Sequence, residues 1–148
     1  MVQNKTDVLI FIEDPGAANY VAGLPEIFSS LGISFRLLAG GLAKTSLIDR
    51  AIYSEEVEPG VSACQILTAV RPRLLLVGTA ENPDTLGLSL VYQAKLLGIE
   101  SIGAIDAYGN ADLRFRGRSG DALTYATDWL FVPTEQVKDS YVALGYSA

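Results

Sequence analysis

Apolar and polar positions along this chain come in blocks whose period changes. Val8–Ile12 is an unbroken apolar run with β-branched and aromatic members. Such a run predicts a strand buried on both faces, as in the middle of a parallel sheet. It stops at Glu13-Asp14-Pro15-Gly16, where proline fixes one φ and glycine permits a positive one. Tyr20, Val21, Leu24, Ile27, Phe28 and Leu31 then recur at helical spacing and predict one buried face, with Gly32 as a natural stop. Pro25 lies within this pattern and either kinks the helix or opens its regular part.

The exchange of periods repeats. Ile33–Leu38 predicts a second strand, Ala39-Gly40-Gly41 a break, and residues 42–50 a short helix. Ala51-Ile52-Tyr53 predicts a short edge strand, followed by acidic Glu55, Glu56 and Glu58. A helix over 61–70, a buried strand at Leu74–Val77, a helix over 86–97 and a strand at Ile99–Ile105 come next. Trp129–Val132 predicts a last strand, and Thr134 caps a final helix to Leu144. Tyr125, Trp129 and Phe131 are expected in the core, and Cys64 as a small buried hydrophobe. Asp106–Asp128 has no clear period and few apolar anchors, so it is expected to be the most mobile segment. Strands alternating with helices predict βαβ units with right-handed crossovers. The expected fold is α/β, a Rossmann-like three-layer sandwich with a mostly parallel sheet of about six strands, in one domain over 1–148.

Composition narrows the function. Hydrophobic residues make up 49% and charged ones 19% of 148 residues, enough for a core and against disorder. A net charge of −6 disfavours a nucleic-acid partner. The absence of histidine removes Ser-His-Asp and Cys-His mechanisms and every His-ligated zinc site. No metal or other cofactor is expected. Cys64 stands alone, so no intrachain disulfide forms, which fits a reducing compartment. No apolar run reaches the ~20 residues that span a bilayer, and Met1–Thr6 is polar with no signal-peptide core. The expected location is cytoplasmic.

In an open α/β sheet, ligands bind at the carboxyl ends of the strands, which singles out three turns. Glu13, Asp14, Gly16 and Asn19 follow the first strand; Glu13 or Asp14 offers a general base, although both also suit a helix start. Thr79, Glu81 and Asn82 follow a central strand and offer a hydroxyl, a carboxylate and an amide, in what is otherwise an ordinary polar loop. Asp106, Tyr108, Asn110, Arg114, Arg116 and Arg118 follow another. Extended, those alternating arginines would form a cationic stripe suited to phosphate; otherwise they pair with local Asp112 and Asp121.

Three stretches together resemble the N-terminal half of GT-B-fold glycosyltransferases and their relatives, the UDP-N-acetylglucosamine epimerases. They are Gly16 to Gly32; Gln93 to Asp106, with Ala94-x-x-Leu97-Gly98-Ile99; and Thr127-Asp128 through Val132-Pro133-Thr134-Glu135 to Leu144-Gly145. The resemblance implies two Rossmann-like domains facing a cleft, the first binding the acceptor and the second the nucleotide sugar. This chain would be the acceptor-side half, inactive alone, with its second domain beyond Ala148. Its partners would be a small-molecule acceptor and a nucleotide sugar. Some members place a basic histidine after the first glycine; Ala17 stands there, leaving Asp14, Glu81 and Glu13 as bases and Arg114 for an anionic group. Two other readings stand beside this one. A receiver-like signalling module has the acidic pair, but Gly78 occupies the phosphoacceptor position. A small-molecule-binding α/β module would carry no chemistry.

Overall fold

The computed structural model describes residues 5–147. Most of the polar N-terminal stretch, Met1–Asn4, lies outside it, as does Ala148. Six strands form one all-parallel sheet: β1 (Val8–Ile12), β2 (Phe35–Ala39), β3 (Glu55–Glu56), β4 (Leu74–Gly78), β5 (Glu100–Ala104) and β6 (Trp129–Phe131). Their order is β3-β2-β1-β4-β5-β6. That is the doubly wound order of dinucleotide-binding folds, and it differs from the 2-1-3-4-5 order of receiver-like ones. β1 is central: Val8 lies opposite Phe35 on one side and Leu74 on the other.

The sheet is covered on both sides because alternate residues of each central strand serve different layers. Val8, Ile10 and Ile12 pack with α1 (Pro15–Val21), α2 (Leu24–Ser30) and α3 (Gly41–Asp49) through Ala17, Val21, Phe28 and Leu47. Leu9 and Phe11 pack with α4 (Ala63–Val70) and α5 (Leu86–Leu96) through Leu67, Val70, Leu90 and Val91. A third cluster joins Phe115, after α6 (Ala111–Arg114), to Val137 and Tyr141 of α7 (Glu135–Ala143). Side chains close the starts of α4, α5 and α7. Ser62 and Gln65 form a reciprocal capping box on α4, while Thr85 and Thr134 accept from the first turns of α5 and α7. No helix among the described residues is long and apolar enough to cross a membrane.

Several elements differ from expectation, each for a local reason. The first helix is two, α1 and α2, parted at Ala22-Gly23, with Pro25 in the first turn of α2. The edge strand is Glu55–Glu56, not Ala51–Tyr53. Ala51 takes a left-handed φ of 56°, and Ile52 N–H bonds back to the Leu47 carbonyl (2.9 Å) as the helix unwinds. Arg36 and Lys44 then pair with Glu55 and Glu56 and hold that strand. Asp106–Asp128 has more anchors than its sequence shows. Phe115 and Arg114 are buried, and Tyr125 N–H returns to the Phe115 carbonyl (2.8 Å). Trp129 and Phe131 are not core; they lie on the open face of the edge strand, 59% and 50% exposed. Cys64 is exposed at the start of α4.

Gly78 sets how closely α1 approaches the sheet, since a Cβ there would lie 2.4 Å from the Ala17 Cβ and 3.1 Å from Ile12 Cγ2. Gly78→Val is expected to cost about 1–3 kcal/mol of stability, read as a lower urea midpoint with an unchanged slope. A wild-type midpoint would show that α1 can retreat without strain.

Candidate functional site

The order β2-β1-β4 makes the carboxyl ends of β1 and β4 the topological switch point of the sheet, where connections leave in opposite directions. The turn after β1 supplies Asp14 there. The loop after β4 supplies Thr79 and Glu81, and that after β5 supplies Asp106. Arg114 of α6 reaches back into the same place, its side chain only 7% exposed.

Arg114 binds these loops together. Its Nη1 donates to Thr79 Oγ1 (3.2 Å) and to the Thr79 carbonyl (3.4 Å), and lies 3.6 Å from Asp106 Oδ1. Its Nη2 donates to Glu81 Oε1 (3.4 Å), and its Nε to the Gly109 carbonyl (3.5 Å). Asn110 sits at a left-handed φ of 59° and donates its amide to the same Glu81 oxygen (2.7 Å). Asn is among the few side-chain-bearing residues that accept this conformation readily.

Asp14 precedes Pro15 at the start of α1, yet its side chain makes no capping hydrogen bond. Its carboxyl is pushed above the ordinary range by burial, then by the Asp106 charge. Arg114 opposes this, and Glu81 adds to it. Gly16 is what admits Asp106: a Cβ there would meet Asp106 Oδ2 at 1.9 Å. The crevice therefore holds three carboxylates around one guanidinium already engaged by protein acceptors.

The remaining residues singled out from sequence fall elsewhere. Glu13 turns the other way, its Cγ against Gly40 and Gly41, and its carbonyl accepts from Ala43 N–H (3.0 Å). Asn19 accepts from Arg50 on the outer side of α1. Asn82 closes its own turn by accepting from Asp84 N–H (3.0 Å). Tyr108 is 73% exposed at the rim. The arginines form no stripe, because the chain is turned rather than extended. Arg114 points inward, Arg116 donates to the Ser119 carbonyl (3.2 Å), and Arg118 pairs with Asp84 (2.7 Å) rather than with Asp112 or Asp121. Tyr141, buried in α7 within the field of Arg114 and Asp106, had no signal in the sequence beyond a helical apolar spacing. Among the described residues, no group of three or more His, Cys, Asp or Glu side chains is placed to hold a metal. A broad concavity of about 710 Å³, lined by Lys5, Leu67, Arg71 and Ile99 among others, lies at the opposite end of the strands and gathers no carboxylates. The crevice is therefore the better candidate.

No family model and no curated protein sequence matches the chain. Solved structures do. One is a 2.2 Å crystal structure of a protein assigned as a UDP-N-acetylglucosamine 2-epimerase from Listeria monocytogenes, with a TM-score of 0.69 at 15% identity. Another is a UDP-N-acetylglucosamine 2-epimerase, with a TM-score of 0.67 at 15% identity. Each match covers 97% of this chain. The fold is that of these epimerases over the part matched. The chain spans less than half of either epimerase, 42% of one and 44% of the other.

On this epimerase-like fold the Asp14 carboxyl gives a signed pH dependence. A carboxyl raised in the native state favours folding while protonated and opposes it once ionised. Its contribution is intact below the ordinary Asp range and is lost as pH rises through the raised native value. Asp14→Asn is therefore expected to gain stability relative to the unaltered protein between about pH 3 and pH 7. Urea midpoints at both values check this. A difference that does not change with pH would show that Asp14 is unperturbed.

Proposed function

We propose that this chain is the N-terminal, acceptor-side domain of a GT-B-like enzyme acting on nucleotide sugars, working with a second Rossmann-like domain that follows it. The reading rests on one observation: Asp14, Glu81 and Asp106 converge at the β1–β4 crevice, with Asp14 uncapped and pushed up. A carboxylate of raised proton affinity is a stronger general base toward a sugar hydroxyl or ring proton. In this reading Asp14 is the base. Glu81, steadied by Asn110 and Arg114, is the second carboxylate facing the substrate. Glu13, which lies against Gly40 and Gly41, is given no role in this reading.

Arg114 has its donors engaged by Thr79, Glu81 and Gly109, with Asp106 beside it. It orders the carboxylates rather than reaching for phosphate. The crevice offers hydrogen-bond acceptors, which suit the hydroxyls of a sugar ring or acceptor. The diphosphate falls to the second domain, whose donors would stabilise it as charge develops. The epimerase neighbours favour a UDP-linked N-acetylhexosamine as the nucleotide sugar, and the chain's share of their length supports a half-cleft.

In the two-domain protein, Asp14→Asn and Glu81→Gln are each expected to lower kcat by about 10²–10⁴-fold with nucleotide sugar as substrate. Near-normal turnover in both would remove them from the chemistry. The 148-residue chain alone is expected to show no transfer or epimerisation, and no heat of binding with micromolar nucleotide sugar, because it presents one wall of the cleft. Micromolar binding in calorimetry would mean that the chain is complete in itself.

A further inference from the structure

Among the described residues three buried side-chain polar atoms lack a protein partner: Glu13 Oε2, which lies against Gly40 and Gly41, and Asp106 Oδ1 and the Tyr141 hydroxyl, which share the surroundings of Arg114. The last two come from different segments, the loop after β5 and the body of α7. Buried polar atoms are nearly always paired, with protein or with ordered water. Tyr141 is 2% exposed, and its ring packs against Phe115, the neighbour of Arg114, with centroids 6.0 Å apart. Its phenol is pushed up to about 12 mainly by burial, with Arg114 and Asp106 as the charges acting on it. The Arg114 Nη1–Asp106 Oδ1 separation of 3.6 Å is longer than a direct hydrogen bond, and polar groups so spaced are often joined by a water.

We propose that Tyr141 is a positioning residue of the crevice, its hydroxyl joined to the Asp106 carboxylate through one buried water. Arg114 Nη1 supplies a third partner, and three partners are typical of a buried water. Through this link α7 fixes Asp106 above Gly16, at the place from which its charge acts on Asp14. Phenylalanine would fill the same volume, so packing alone does not call for the hydroxyl. The groups acting with Asp106 are Asp14 from the β1–α1 turn, Arg114 from α6 and Tyr141 from α7, while Glu81 from the loop after β4 shares Arg114 with it. Tyr141 is the member of this set that donates from a neutral group.

The inference rests on the crevice being the working site, yet its test reads proton positions rather than turnover, so the two can fail separately. In the unaltered protein, NMR is expected to show a slowly exchanging Tyr141 hydroxyl proton with cross-relaxation to a long-lived water. In Tyr141→Phe, loss of the donor leaves more of the Asp106 charge acting on Asp14. The Asp14 titration midpoint, followed by carboxyl ¹³C shift, is then expected to rise by about half a pH unit. A folded Tyr141→Phe with an unmoved Asp14 midpoint would overturn the proposal. So would the absence of the water cross-peak in the unaltered protein, which decides the matter alone if the variant does not fold.

Discussion

Arg114 is a cation withdrawn from water, and a buried guanidinium persists only where acceptors surround it. Those acceptors come from separate strand ends: Thr79 and Glu81 after β4, Asp106 after β5, and Gly109 in the approach to α6. One charge thus pulls together loops that the sheet merely brings near. The carboxylates that compensate it are the ones that crowd Asp14, so burying Arg114 and raising the proton affinity of Asp14 are two results of one arrangement. Gly16 completes it by leaving room for the Asp106 carboxylate where any side chain would collide.

The central strands were legible because two-sided burial leaves a direct trace. Val8–Ile12 and Leu74–Val77 are apolar at every position, and no other common element needs that at such short length. The turns after them were legible as a consequence, since connectivity alone places strand ends at one edge. What stayed hidden depends on contacts between distant residues. Two glutamates form the edge strand by pairing with Leu38 and Ala39 of β2, with Arg36 and Lys44 compensating their charge. Asp106–Asp128 reads as unanchored because its anchors are single residues, Arg114 and Phe115, with no period to announce them.

The arginines show the same limit from the other side. Alternation at Arg114, Arg116 and Arg118 implies a common face only on extended chain. A short helix and tight turns instead send one inward and two along the surface. Trp129 and Phe131 sit on a strand, as their type suggests, but it is the last strand of the sheet, and one face of it is bare. Tyr141 was illegible as a site residue, since a tyrosine buried for its ring and one buried for its hydroxyl leave the same mark in a helical pattern.

The place of β1 in the sheet has a consequence for how the protein is made. Of the three central strands β1 is synthesised before its two neighbours, which begin only at Phe35 and Leu74. At cellular synthesis rates the second neighbour arrives on the order of seconds later. Until then Val8–Ile12 is five apolar residues with the β4 edge unpaired and without α5 on its Leu9–Phe11 face. The run that later lies deepest in the fold is, for that interval, the surface most open to a chaperone or to another nascent chain.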